Sequence, residues 1–138
     1  TLSLADRLLE DTDSSVIALT ATYIGGLSRS SGEDFIPRAS MILESENQKA
    51  IQRIVESGLR DYLSQNPDDP HSLLVKAWIN SSEVGRSRVA NLIVEQYRVN
   101  PDYFMKTGSN LAIVDSKAHS ELLQWIEIRN SELSKFLS

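Results

Sequence analysis

The chain contains no cysteine, which removes disulfide frameworks, thiolate metal sites and cysteine nucleophiles and leaves the compartment open. Only two histidines are present, His71 and His119, far apart in sequence and each without a neighbour of the kind a catalytic triad needs. No apolar run approaches the roughly 18 residues that a membrane-spanning helix requires, so no membrane partner is expected. The four prolines fall at the edges of helical patterns rather than inside them, where a proline would break the hydrogen-bond ladder. Neither a His-Glu-x-x-His pattern, nor a phosphate-gripping glycine loop, nor a complete calcium-loop pattern occurs. These gaps leave no cofactor or metal to expect, and they argue against an enzyme.

What is present is ordinary for a globular domain. The 138 residues, 41% apolar and 24% charged, suffice to bury one core without staples. With no linker or low-complexity stretch, the whole chain, residues 1–138, is expected to form one domain. It opens on Thr1 rather than methionine, the expectation for a domain excised from a longer protein. The net charge is −5, unevenly placed. Residues 1–70 hold twelve acidic and six basic side chains, net −6; residues 71–138 hold seven and eight, net +1. Such a balance disfavours wholesale coating by nucleic acid, although a local basic patch in the second half is compatible with it.

Apolar residues recur at helical spacing almost throughout. The pattern predicts a short helix from Leu4 to Glu10 and a mostly buried one from Ser15 to Leu27, ended by Gly25-Gly26. A loop is expected at Ser28 to Gly32. Pro37 is expected in the first turn of a helix to Glu44. Ser45 is expected to cap the clearest helix, Glu46 to Gln65, with Ala50, Ile51, Ile54, Val55, Leu59, Tyr62 and Leu63 inward. Gly58 there is either a weakness or a close helix crossing. Asp69-Pro70 reads as a cap followed by proline at the first helical position, with Leu73, Leu74, Ala77 and Trp78 inward. The next helix starts at Ser82 or Gly85 and carries Val89, Leu92, Ile93 and Tyr97. Asn100-Pro101 opens a short helix, Asp102 to Lys106, before a loop at Thr107 to Asn110. Leu111 to Val114 is the one stretch that also reads as strand. The tail, Ser116 to Leu137, is expected to bury Trp125, Leu133 and Phe136, with a break at Asn130-Ser131. The expected fold is all-α: a compact irregular bundle, or a short solenoid-like array, of about seven to eight helices.

Asn66-Pro67 and Asn100-Pro101 recur 34 residues apart and bracket a helix–break–helix pattern. With the two prolines at the closing position, Leu73 and Ala77 fall at the large and small positions of a first helix, and Val89 and Ile93 at the packing positions of a second. This unit resembles a tetratricopeptide repeat in length and closing dipeptide. Lys76 and Gln96 stand where leucine and alanine are usual. The resemblance covers about a quarter of the chain, implies packing of a helix pair, and carries over no binding residue.

For function, the reading is a non-enzymatic scaffold or adaptor module that takes a partner helix or peptide into a groove between helices. The alternative is a nucleic-acid-binding or transcription-associated module. Ser82 to Ile93 looks like the turn and recognition helix of a helix-turn-helix, with Arg86, Arg88 and Asn91 near its N-terminus. Lys76, Arg98 and Lys106, with Tyr97, Tyr103 and Phe104, extend that surface as phosphate-contacting or stacking groups. Tyr103, Phe104 and Met105 are consecutive, so they cannot all face inward, and aromatic residues of that kind anchor partners. Trp78 and Trp125 lie on apolar stripes and are expected in the core. His71 is expected on the surface and His119 on the polar side of the tail helix. Asp69, of the pair Asp68-Asp69, is expected as a cap rather than a metal ligand, and Asn80-Ser81-Ser82 matches a glycosylation tripeptide that matters only in a secreted chain. An intracellular location, cytoplasmic or nuclear, is the expectation.

Overall fold

A computed structural model describes residues 2–129, with Gln96, Tyr97, Val99, Tyr103 and Phe104 described through their backbone alone. The described residues form eight helices and no strand, with 84% of them helical. In chain order these are α1 (Leu2–Leu9), α2 (Ser14–Ser30), α3 (Gly32–Leu43), α4 (residues 48–65), α5 (Leu73–Asn80), α6 (Glu83–Val99), α7 (Pro101–Val114) and α8 (Ser116–Arg129). α2 lies along α4, with α1 and α3 against α2; α5 sits on α3; and α6, α7 and α8 pack as successive neighbours.

The centre of the molecule is the crossing of α2 and α4. α4 runs as Gln48–Ile54, one π turn at Val55–Leu59, and Arg60–Gln65. All seven side chains assigned to its inner face are buried, Ile54 among them. At the π turn the two backbones nearly touch. A β-carbon on Gly58 would sit 2.8 Å from both the Cα and the carbonyl oxygen of Gly25, and 2.7 Å from Phe35 Cε1; one on Gly25 would collide with the Ser57 hydroxyl. Gly58 therefore marks a close helix crossing. Gly25 serves that crossing rather than ending α2, which continues to Ser30, so the expected loop at Ser28 to Gly32 shrinks to Ser31 alone.

Other boundaries move for identifiable reasons. α3 begins at Gly32, which places Pro37 beyond the first turn. Glu33 and Pro37 are both exposed, so the carbonyl left without an N–H partner lies on the solvated side. The cap of α4 is Asn47, whose Oδ1 accepts the Ala50 N–H at 3.1 Å, whereas Ser45 turns back to donate to the Ile42 carbonyl. Asp69 caps α5 from further upstream than Asp-Pro spacing suggests. Its buried carboxylate accepts the N–H groups of Leu73 and Leu74, each at 3.0 Å. Pro70 and His71 form a turn instead of helix, and Asp69 and Ser72 take positive φ, 40° and 53°. α7 runs unbroken through Thr107 to Asn110 and on to Val114, because Thr107, Gly108 and Leu111 are buried and tertiary packing overrides weak local propensity. Leu111 to Val114 is thus helix.

Apart from Ala18, the buried apolar side chains of the described residues form one contiguous cluster from Ala5 to Ile126. Trp78, Tyr62 and Phe35 are its largest members, the last two with ring centroids 5.6 Å apart. The Tyr62 hydroxyl has no hydrogen-bond partner among the described residues, and burial, with the nearby Asp69 carboxylate, pushes its pKa up to about 12. Arg38 clamps α1 to α3 through Asp6, at 2.8 and 2.9 Å, and that hydrogen bonding holds the Asp6 carboxyl below its usual range. α2 is less buried than its composition suggests, since Leu19 (67%) and Tyr23 (49%) are exposed. Trp125 is half-buried rather than central. The expected break at Asn130-Ser131 and the expected burial of Leu133 and Phe136 lie outside the described residues, as does the side chain of Tyr97.

Candidate functional site

The helix-turn-helix-like segment is α5, a two-residue link and α6. Gln48 of α4 fixes the link from outside: its Nε2 donates to the Asn80 carbonyl at 2.8 Å and its Oε1 accepts the Ser82 N–H at 2.7 Å. The Trp78 indole donates to the Ala118 carbonyl at 2.9 Å, which joins α5 to α8.

Arg86 reinforces that junction. Its guanidinium lies over the Trp78 ring, 4.6 Å from the centroid, donates to the Trp78 carbonyl at 3.1 Å and pairs with Glu121 of α8. Its side chain is only 17% exposed. Arg88, two residues on, leaves the opposite side of α6, since neighbours at that spacing do not share a helix face, and pairs with Glu56 of α4. Arg60 and Glu95 bridge the same α4–α6 seam at 3.0 Å. The structure therefore divides the predicted basic patch. Arg86 and Arg88 hold separate seams, Asn91 lies exposed beside Arg88 in a shallow groove, and Arg98 and Lys106 are exposed further along α6 and α7. The side chains of Tyr103 and Phe104 lie outside the described residues. Glu56, Glu121 and Gln48, which decide what these groups do, were invisible to sequence reasoning because each partner lies some thirty or more residues away.

Two concave surfaces carry exposed apolar residues at their walls. A cleft of about 720 Å³ lies where α6 meets α8, walled by Val84, Arg86, Glu121, Trp125, Ile128 and Arg129. Val84 and Ile128 are 80% and 81% exposed, and Arg129 stacks on Trp125 with its guanidinium carbon 3.7 Å from the ring centroid. A smaller groove of about 280 Å³ runs between α1 and α2, lined by Leu4, Ala5, Leu8, Leu19, Thr20 and Tyr23, with no charged side chain.

Groups with latent chemistry are placed otherwise. His71 is exposed on a recess shared with Ser40 and Lys76. There the Lys76 ammonium donates to the Ser40 hydroxyl at 2.7 Å and pairs with Glu44 at 3.2 Å, an arrangement that occupies a serine lone pair rather than removing its proton. Among the described residues no three His, Asp or Glu side chains are grouped to hold a metal ion, and no helix is long and apolar enough to cross a membrane. Comparison with protein-family models, with curated proteins and with solved structures found no match. The fold and its surfaces define the class: an all-α multi-helix protein with a mixed polar and apolar cleft between α6 and α8 and an apolar groove between α1 and α2.

Proposed function

We propose that the chain is a non-enzymatic interaction module that receives a helical or extended segment of a partner protein in the α6–α8 cleft. The observation that carries this reading is the pairing of Val84 and Ile128, the exposed apolar residues of the two facing helices, across a concavity backed by Trp125. Apolar anchors entering such a cleft are the usual way one helix recognises another, and clustered exposed apolar residues mark interaction sites where scattered ones do not. The Arg86–Glu121 bridge gives the cleft a fixed polar wall that favours register.

The ion pairs of Arg86 and Arg88 work against nucleic acid as the partner of the same segment, because each phosphate contact there would have to displace a carboxylate. A photo-crosslinking residue placed at Val84 or at Ile128 should trap the same protein from native extract, whereas one at exposed Ser30 should not. Unrelated adducts from the two cleft positions, or tight, salt-sensitive binding of labelled duplex or single-stranded nucleic acid, would sink the proposal.

A further inference from the structure

We infer that the surface formed by α1, α2 and the first half of α4 is a second docking site, built for an acidic amphipathic helix of a partner protein. The inference rests on the chain being an interaction module but makes no use of the α6–α8 cleft. Its centre is Leu19, the most exposed large apolar residue of the first half at 67%. On one side lies the groove between α1 and α2, whose walls are two i, i+4 rows, Leu4 with Leu8 and Leu19 with Tyr23. Such rows are the ridges into which a third helix packs. On the other side a second groove of about 380 Å³ runs between α2 and α4, and its α4 wall presents Lys49, Gln52 and Arg53.

The charges identify the occupant. Of the six cations in residues 1–70, Arg29, Arg38 and Arg60 are each held by a carboxylate. Lys49, Arg53 and Arg7 have no ion-pair partner within 4.0 Å among the described residues. Lys49 and Arg53 stand one turn apart on an exposed stripe of α4 and flank the Leu19 ridge. Arg7 lies exposed on α1 and is not part of either groove wall. In a half of net charge −6, two unpaired cations thus stand beside the Leu19 ridge that also walls the uncharged α1–α2 groove. A helix with a leucine stripe would seat that stripe between the two ridges and bring flanking carboxylates over Lys49 and Arg53.

Other occupants fit less well. A second copy would set Lys49 and Arg53 close to the same cations of its partner. An anionic membrane is broader than one helix: besides Lys49 and Arg53 it would cover the carboxylates before α2, where Asp11 and Asp13 accept the Asp13 and Ser15 N–H groups, whereas a single helix can lie along the Leu19 ridge and meet the two cations alone.

The test uses two labelled synthetic helices of about 18 residues with the same leucine stripe, one filled with glutamate and one with lysine, titrated into the full chain by fluorescence anisotropy. The glutamate helix should bind in preference and weaken as salt is added. Leu19→Ser should cost about tenfold or more in affinity. The double variant Lys49→Glu/Arg53→Glu should lose the glutamate helix and gain the lysine one, a swap that damage to the fold cannot produce; Ile128→Ser should change nothing. No binding of the glutamate helix at about millimolar concentration, or equal binding of both helices, would overturn the inference. So would vesicle binding with phosphatidylserine, or dimerisation by sedimentation, if either vanished in Leu19→Ser. Any of these results would leave the crosslinks from Val84 and Ile128 to decide the cleft separately.

Discussion

Two adjacent glycines in α2 carry opposite expectations. A methyl group at Gly58 would enter the backbone of Gly25 and one at Gly25 the side chain of Ser57, whereas one at Gly26 meets nothing within 4 Å. Gly58→Ala should therefore destabilise the fold by about 1–3 kcal/mol, the range for overpacking a filled site. Gly26→Ala should add about 0.5–1 kcal/mol, the helix preference of alanine over glycine. Denaturant midpoints of the two variants decide the matter, and equal shifts would mean that the crossing is looser than described. Tyr62 offers a second residue-level check. Its folded pKa is raised from 10.0 to about 12, so the fold disfavours the phenolate. Stability is full below the ordinary tyrosine value and is lost as pH rises through the folded one. Tyr62→Phe should flatten the decline of melting temperature between pH 10 and 12. It should cost little at neutral pH, because the hydroxyl has no partner to lose among the described residues.

At the scale of elements, Arg86 is the side chain of α6 that ties α5 and α8 together, beside the Trp78–Ala118 bond. Arg86→Met keeps the length but removes the bonds to Glu121 and the Trp78 carbonyl, and should cost about 1–3 kcal/mol. The loss should be local, seen as faster amide hydrogen exchange in α8 than in α4; uniform acceleration would show that Arg86 has no special hold on α8. Helices of this kind were legible from spacing wherever one face is buried: the inner face of α4 could be listed residue by residue. Their ends were not, because the deciding partners are distant in sequence. Ser45 and Asp69 both had the chemistry of a cap, but the carbonyl of Ile42 claimed one and the turn at Pro70-His71 displaced the other. α7 concealed itself behind Thr107-Gly108-Ser109-Asn110, which reads as loop until the neighbours that bury Thr107 and Gly108 are in place. The candidate site was half legible. Arg86 and Arg88 stood out as cations near a helix start, but only the fold shows that they face different seams and meet Glu121 and Glu56.

For the whole molecule, the single contiguous core predicts a single cooperative transition. Helical circular dichroism at far-ultraviolet wavelengths and tryptophan fluorescence should lose signal at the same temperature, although both tryptophans lie in the second half. Separate midpoints would divide the chain into two folding units. Adding salt should narrow the difference between the acidic and near-neutral halves as their surface fields are screened, without a large shift in that midpoint, since most of the ion pairs are substantially exposed.

The crossing at Gly25 and Gly58 also bears on ancestry. Gly25 and Gly58, 33 residues apart, are constrained by one crossing: a side chain on Gly58 would enter the Gly25 backbone and the Phe35 ring, and one on Gly25 would enter Ser57. A lineage descended from this fold can lose Leu19, Lys49 or the whole α6–α8 cleft and keep its shape, but it can change one of these glycines only by altering how the two helices meet. The spaced glycines, rather than any binding residue, are the fingerprint by which distant kin would be known.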